Sequence, residues 1–236
     1  MNVPWGKCYT VLMERDENMN ELQIKTIVLG MVQTNCYIIH LQDSKEAIVI
    51  DPADHADTII SYLSGNGLVC KAILLTHGHF DHIMGAAELS NTLGVKIYAG
   101  EMEADLLEDP NLNCSAQFRM EYGITANALL RDQEILALAG VSIKVIHTPG
   151  HTGGSVCYYI VGQSVLFSGD TLFRDAVGRT DLPTGNGRML VEAIREKLMI
   201  LDDEIKVYPG HGPSTTIGYE RDNNYFISGN GDALIL

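Results

Sequence analysis

A stretch of seven residues, 76–82, carries three histidines and one aspartate. It directly follows the apolar run 72–75, which is typical of a buried strand. Side chains on an extended backbone alternate in direction, so His77 and His79 leave the chain on the same side. Neutral imidazole and carboxylate groups suit zinc, iron or manganese. The stretch therefore predicts a metal site.

The other two donors of this stretch, Asp81 and His82, are adjacent and point in different directions unless the chain turns there. Residues 83–93 have the apolar spacing of a helix. A turn into this helix would bring both side chains back over His77 and His79. One ion cannot easily use four donors at this spacing, whereas two neighbouring ions can.

Three later segments share one design, in which a strand ends, a glycine-rich turn follows and a ligand-type residue stands in the turn. They are residues 147–155, 167–173 and 208–213. A glycine precedes each of His151, Asp170 and His211, and glycine lets the backbone bend tightly towards an ion. With the first stretch, they place five of the eight histidines after strand ends, which favours one shared site over separate polar turns.

Composition excludes several classes of protein. The net charge of −14 disfavours a nucleic-acid partner, because phosphate binding needs a basic face. The five cysteines are scattered without a CxxC pair, which favours a reducing cytoplasm. No apolar run approaches the about 20 residues of a membrane span, so we expect no membrane partner.

Strand-like and helix-like runs alternate without a linker, so residues 22–236 are predicted to form one domain. Residues 1–21 are predicted to be an N-terminal extension, and Met19 is an alternative start to Met1. The predicted strands are 22–29, 35–41, 47–50, 72–75, 95–99, 141–146, 156–161, 165–167 and 205–208, and the predicted helices are 56–63, 83–93, 188–201 and 217–226. Residues 100–132 have a mixed, helix-leaning pattern and are a candidate cover for the site.

In order and spacing, the ligand-type segments resemble the metallo-beta-lactamase superfamily. The HxHxDH signature of that family stands at residues 77–82, and the resemblance covers residues 22–226. It implies an α/β fold, a four-layer αββα sandwich with the site along one edge of its two sheets. The longer glutathione-thioester hydrolases have a C-terminal helical domain that binds glutathione, and we expect this chain to be too short for it.

The same resemblance implies roles for the individual side chains. The implied ligands are His77, His79 and His151 for one ion, and Asp81, His82 and His211 for the other, with Asp170 bridging both. Asp51, at a strand end, corresponds to an early aspartate that orients the site without ligating. Zinc is the expected metal, with iron or manganese as alternatives. Asp81 is also the expected catalytic residue, orienting the attacking hydroxide.

Residues 168–173 and 178–183 resemble the short, single-domain members of the glyoxalase II-like branch, the hydroxyacylglutathione hydrolases. His82 distinguishes the chain from true zinc β-lactamases that use a cysteine ligand. The longer glutathione-thioester hydrolases have an acidic residue and a tyrosine where this chain has Gly212 and Pro213. Arg179, in the second of these segments, is a candidate contact for a substrate carboxylate, and a local pair with Asp181 is the alternative.

The resemblance implies a hydrolase with two metal ions that cleaves a small-molecule thioester by attack of a metal-bridging hydroxide. A persulfide dioxygenase with one iron is an alternative, because it shares the signature and the Gly-Arg-Thr-Asp loop. A lactonase is another hydrolytic option. The intact ligand set argues against a metal-binding protein without turnover. We do not expect His40, His55 or His147 to be ligands, and the sequence leaves the oligomeric state open.

Overall fold

The computed structural model describes residues 20–228, and all structural statements refer to this part of the chain. The first half contains six strands: β1 (Leu22–Leu29), β2 (Thr34–Leu41), β3 (Glu46–Ile50), β4 (Val69–Leu74), β5 (Lys96–Gly100) and β6 (Ala128–Leu130). They form one sheet in this order. The predicted extension, residues 1–21, lies almost wholly outside the described residues, and the domain boundary stays a prediction.

The second half contains eight strands: β7 (Ile135–Leu138), β8 (Val141–His147), β9 (Val156–Ile160), β10 (Val165–Gly169), β11 (Leu172–Phe173), β12 (Ala176–Val177), β13 (Lys206–Pro209) and β14 (Thr215–Thr216). Six of them form a second sheet in the order β14-β13-β10-β9-β8-β7, and β11 pairs with β12 in a separate ribbon. The helices are α1 (Ala56–Gly65), α2 (Phe80–Ile83), α3 (Ala86–Leu93), α4 (Ala104–Glu108), α5 (Gly187–Ala193) and α6 (Ile217–Asn223).

Side chains on opposite faces of the two sheets pack into three apolar cores. Ala47 and Val49 of β3 pack in a core with α1 and α3, whereas Ile48 and Ile50 face the second sheet. Leu166 of β10 points the other way, into a third core with α5 and α6. Because side chains alternate with period two, each sheet buries both faces. The layers are helix, sheet, sheet and helix, so the predicted αββα sandwich is confirmed.

The boundaries of several elements differ from the prediction. The helix predicted over residues 83–93 is interrupted at Gly85, whose N–H donates to Pro52 O at 2.8 Å. A Cβ there would lie 2.5 Å from the same oxygen, so this close approach requires glycine. The helix predicted over 188–201 is α5 followed by a π-helical segment, Ile194–Leu198. Edge strand β7 was not predicted, because its four residues are all apolar and the apolar–polar alternation typical of a half-buried strand is absent.

Sheet topology brings the ligand-bearing turns to one edge. Strand β4 runs parallel to β3 and β5, and β10 runs parallel to β13. Parallel neighbours end at the same edge, so residues after β3, β4, β10 and β13 come together. No helix among residues 20–228 has the length and apolar character to cross a membrane.

Candidate metal centre

Asp51, directly after β3, holds the start of the histidine-rich stretch. Its Oδ1 accepts the N–H of Thr76 at 2.8 Å, and its Oδ2 accepts the Thr76 hydroxyl at 2.6 Å. The same Oδ2 lies 2.9 Å from His82 Nδ1. This one buried carboxylate therefore fixes both the end of β4 and the orientation of the His82 ring.

Three buried imidazoles form the first donor group. His151 Nε2 lies 2.9 Å from His79 Nδ1 and 3.2 Å from His77 Nε2. His77 and His79 come from the turn after β4, and His151 comes from the loop between β8 and β9. The structure therefore brings together residues more than seventy positions apart, with their ring nitrogens converging on one point.

The second donor group consists of Asp81, His82 and His211. Asp81 Oδ2 lies 3.2 Å from His211 Nε2 and 3.6 Å from His82 Nε2. Thr34, at the start of β2, donates its hydroxyl to the same Oδ2 at 2.9 Å. The short helix α2 produces the turn that returns Asp81 and His82 over the preceding histidines, as expected from the sequence.

Asp170 lies between the two groups. Its Oδ2 is 3.6 Å from His151 Nε2 in the first group and 3.6 Å from His211 Nε2 in the second. Its Oδ1 is 3.3 Å from His82 Nε2. A Cβ at Gly210 would overlap this carboxylate, which explains the glycine before His211.

The far ring nitrogens of four histidines are also engaged. The pairs are His77 Nδ1 with Thr76 Oγ1 at 3.2 Å, His82 Nδ1 with Asp51 Oδ2 at 2.9 Å, His151 Nδ1 with Arg179 O at 2.8 Å and His211 Nδ1 with Gln33 O at 3.4 Å. Such contacts fix the ring orientation and leave Nε2 for an ion. His79 differs, because it presents Nδ1 to the group.

The donor set fits divalent metal ions. Among the described residues, His79 Nε2, His82 Nε2 and Asp170 Oδ1 are buried polar atoms without a hydrogen-bond partner. The last two face each other inside the cluster, where a cation would satisfy both. Nitrogen and carboxylate donors without sulfur suit zinc, iron or manganese.

Local electrostatics act differently on the individual members of the donor groups. Burial lowers the pKa of His77 well below its usual value and that of His79 to about 3, so both rings are neutral. Burial would raise the pKa of Asp170, but the neighbouring His82, His151 and His211 outweigh it and lower it. Metal ligands must be neutral imidazoles and ionised carboxylates, so His77, His79 and Asp170 already have the form that binds metal. Burial would lower the pKa of His82 and His211, but the neighbouring carboxylates of Asp81 and Asp170 outweigh it and raise both, so these two rings must lose a proton when an ion binds.

Glu103 is a site residue that sequence reasoning missed. Its buried carboxylate accepts the N–H groups of Gly78 at 3.0 Å and Gly154 at 2.9 Å, and also the Thr152 hydroxyl. It therefore joins the loop of His77 and His79 to the loop of His151. The sequence offered one signal, since Glu103 follows β5 at the edge that carries the ligands.

Arg179 forms the local pair that was the alternative prediction. Its Nε and Nη2 each donate to a carboxylate oxygen of Asp181, both at 2.7 Å. His147 stands apart from the donor groups, with Nε2 3.0 Å from Gly153 O. His40 and His55 also lie outside the groups.

A cavity of about 550 Å³ opens over the donor cluster. Five members of the donor groups line it: His79, Asp81, His151, Asp170 and His211. Cys114, Gln117 and Phe118 also line it. They belong to the 100–132 segment that was the candidate cover, so part of that segment borders the site.

An αββα sandwich with a histidine and aspartate cluster at the edge of its sheets is the architecture of a metallo-hydrolase. The sequence model of the metallo-beta-lactamase superfamily matches residues 29–229. The chain belongs to this superfamily.

Individual relatives cover nearly the whole chain. It is 37% identical to the hydroxyacylglutathione hydrolase GloC of Haemophilus influenzae, over 88% of this chain and 99% of that protein. The crystal structure of BLEG-1 B3 metallo-beta-lactamase has a TM-score of 0.83 and 41% identity, covering 88% of this chain and 100% of the other. The protein TTHA1623, in a di-iron-bound form, has a TM-score of 0.76 and 34% identity, covering 86% and 99%.

The descriptions of these relatives name different activities and metals: a hydroxyacylglutathione hydrolase, a β-lactamase and a di-iron form. A protein described as a β-lactamase is as similar to this chain as the hydroxyacylglutathione hydrolase is. The separation from β-lactamases based on His82 therefore stays a prediction. The shared feature is a metallo-hydrolase fold.

Proposed function

We propose that the protein is a hydrolase with two metal ions that cleaves a thioester of the hydroxyacylglutathione type. One observation carries the proposal: Asp170 Oδ2 stands 3.6 Å from His151 in one donor group and 3.6 Å from His211 in the other. Such a shared carboxylate is suited to bridging two ions. The likeness to GloC, at 37% identity over 88% of the chain, supports the choice of a thioester.

Seven side chains would hold the ions. They are His77, His79 and His151 in one group, Asp81, His82 and His211 in the other, and Asp170 between them. Two divalent ions in these positions would supply hydroxide at neutral pH and polarise the substrate carbonyl. The expected metal is zinc, with iron and manganese as alternatives.

The residues of the chain then orient the reactants. One carboxylate oxygen of Asp81 accepts the Thr34 hydroxyl and lies 3.2 Å from His211 Nε2. These contacts fix the position of Asp81 before substrate binds. We assign Asp81 the role of orienting the attacking hydroxide and Asp51 that of holding the His82 ring. A thiolate leaves without a dedicated acid, so the site requires no further proton donor. Exclusion of water is partial, because the cavity opens to solvent.

Arg179 is the proposed contact for a carboxylate of the substrate. This contact requires the guanidinium to leave Asp181 or to share it, because two of its nitrogens donate there. An exposed ion pair of this kind contributes little free energy, so replacing Asp181 by a substrate carboxylate costs little. Arg179 is the one arginine or lysine among the described residues that line the cavity, so little basic surface is present to hold glutathione. We therefore expect turnover of S-D-lactoylglutathione with weak binding.

The test compares reactions on one preparation loaded in turn with zinc, manganese and iron(II). S-D-lactoylglutathione should be hydrolysed, and replacement of His79 or His151 should abolish the rate. Glutathione persulfide with oxygen, a lactone and a chromogenic cephalosporin are the competing substrates. Oxygen uptake with iron and no thioester cleavage with any metal would identify a dioxygenase. Faster cleavage of the lactone or the cephalosporin than of S-D-lactoylglutathione would identify a lactonase or a β-lactamase instead.

A further inference from the structure

The cavity over the donor cluster has an apolar wall for which the proposed hydrolysis gives no reason. Phe118 is 48% exposed and Val32 41% exposed, and both line the cavity. The Phe118 ring packs against Phe80, which also lines the cavity, with ring centroids 4.6 Å apart. Phe173 and Leu182 also line the cavity. Three connecting segments and the ribbon of β11 and β12 thus contribute apolar surface to one space.

Charged groups in the same lining are already engaged. Asp81 and Asp170 belong to the donor groups, and Arg179 donates to Asp181. Among the lining residues that the structure describes, Arg179 is the one arginine or lysine. Apart from Arg179, the proposed contact for a substrate carboxylate, and the thiol of Cys114, Gln117 is the one other polar side chain among the described lining residues outside the donor groups. The space away from the donor groups therefore offers mainly carbon surface.

Apolar surface of this kind favours an apolar ligand. Phe118 and Val32 are in contact with water, and a hydrocarbon group placed against them would remove both surfaces from water. A short hydroxyacyl group whose hydroxyl lies against Val32, Phe118, Phe173 or Leu182 finds no hydrogen-bond partner on these side chains, which costs free energy. This apolar surface therefore discriminates by the chemistry of the substrate group that lies against it.

We infer that the site selects thioesters with an apolar acyl group, an alkyl chain of several carbons or an aryl-alkyl group, over short hydroxyacyl thioesters. This inference rests on the proposed function. Water supplies the oxygen of the new acyl C–O bond while the C–S bond breaks. One proton of that water leaves with the thiol and the other is released as the acid ionises.

The experiment uses S-acylglutathiones that share one thiol and differ in the acyl group: acetyl, lactoyl, butanoyl and phenylacetyl. We expect kcat/KM to rise about threefold for each added methylene group. The rise should appear in KM, because contacts remote from the carbonyl are equal in the ground and transition states. The kcat/KM of S-lactoylglutathione should be lower than that of S-butanoylglutathione.

Two variants and a matched control assign the effect to the wall. Phe118→Ala and Val32→Ala remove exposed side chains and should each lower the phenylacetyl-to-lactoyl ratio of kcat/KM about fivefold. Ile200→Ala is the control, since Ile200 is 75% exposed and outside the cavity lining. It should leave the ratio unchanged.

A binding measurement separates failure of the inference from failure of the proposed function. Calorimetry compares phenylacetate with lactate, two acids that share the carboxylate. Thioester cleavage without acyl preference, or a preference that survives Phe118→Ala, would overturn the inference and leave the function standing. Tighter binding of phenylacetate that depends on Phe118, without cleavage of any thioester, would support the apolar wall and overturn the function. Neither cleavage nor selective binding would overturn both.

Discussion

Glu103 Oε2 accepts the backbone N–H of Gly78 at 3.0 Å. Gly78 separates His77 from His79, and a Cβ on it would lie 2.8 Å from Leu106. Because Gly78 has no side chain, the histidine turn can lie directly against Glu103. The other carboxylate oxygen accepts Gly154 N–H at 2.9 Å, so the distance between two ligand loops depends on one buried side chain.

Glu103→Gln should weaken metal binding at the three-histidine group. The amide keeps the size of the side chain, but its NH₂ group is a donor. It would face either the Gly78 N–H or the Gly154 N–H and Thr152 hydroxyl, which are donors as well, so one hydrogen bond would be lost. A residue that orients ligands in this way typically contributes about 10–100-fold to metal affinity. Titration against a competing chelator measures the change. Glu101→Gln, an exposed glutamate two residues earlier, is the control, and equal affinity in both variants would contradict the positioning role.

Asp170→Ala should cost more than any single histidine replacement, because this carboxylate borders both donor groups. We expect fewer than two ions per chain and a loss of rate beyond the about 100-fold that is typical of residues supporting ligands. Metal analysis and a steady-state assay measure both. Asp202→Ala, on the surface, should change neither. Full metal content and activity in Asp170→Ala would rule out the bridging role.

Chelation should lower the melting temperature. An ion at a thousandfold its Kd stabilises the folded chain by about 4 kcal/mol if it binds only that state. For a chain of this size, each ion removed lowers Tm by about 10 °C. A thermal scan before and after verified metal removal measures the shift. The same chelator should affect Asp170→Ala much less, and an unchanged Tm in the parent protein would contradict a site built into the fold.

His79 should make the metal-free protein sensitive to acid. Burial lowers its pKa from 6.5 to about 3, so near pH 6 the unfolded chain takes up a proton that the folded chain does not. Its contribution to stability is therefore present above pH 6.5 and is lost as the pH falls towards 3.

The comparison is with His79→Asn, by denaturant unfolding without metal. The free energy of unfolding of the parent, minus that of the variant, should fall by about 1.4 kcal/mol per unit between about pH 6 and pH 4. His55→Asn replaces an exposed histidine with a residue that tolerates its left-handed backbone, and is the control. A difference independent of pH would show that His79 titrates normally.

Local patterns predicted the strand ends and the side chains that follow them. His77, His79 and Asp170 were found because short spacing and preceding glycines are visible along the sequence. Glu103 was not, because its partners Gly78 and Thr152 are 25 and 49 residues away. The interruption at Gly85 was missed for a similar reason, since it depends on contact with Pro52. Long-range contacts, rather than local propensity, decide these features.

Each donor group takes side chains from both halves of the chain. His77 and His79 come from the half that ends with β6, whereas His151 comes from the half that begins with β7, and the Asp81, His82 and His211 group is divided in the same way. An ion bound at either group therefore acts as a reversible crosslink between the halves. If the peptide chain were cut between β6 and β7, neither fragment would carry a complete group. Their reassembly would then depend on the concentration of free metal.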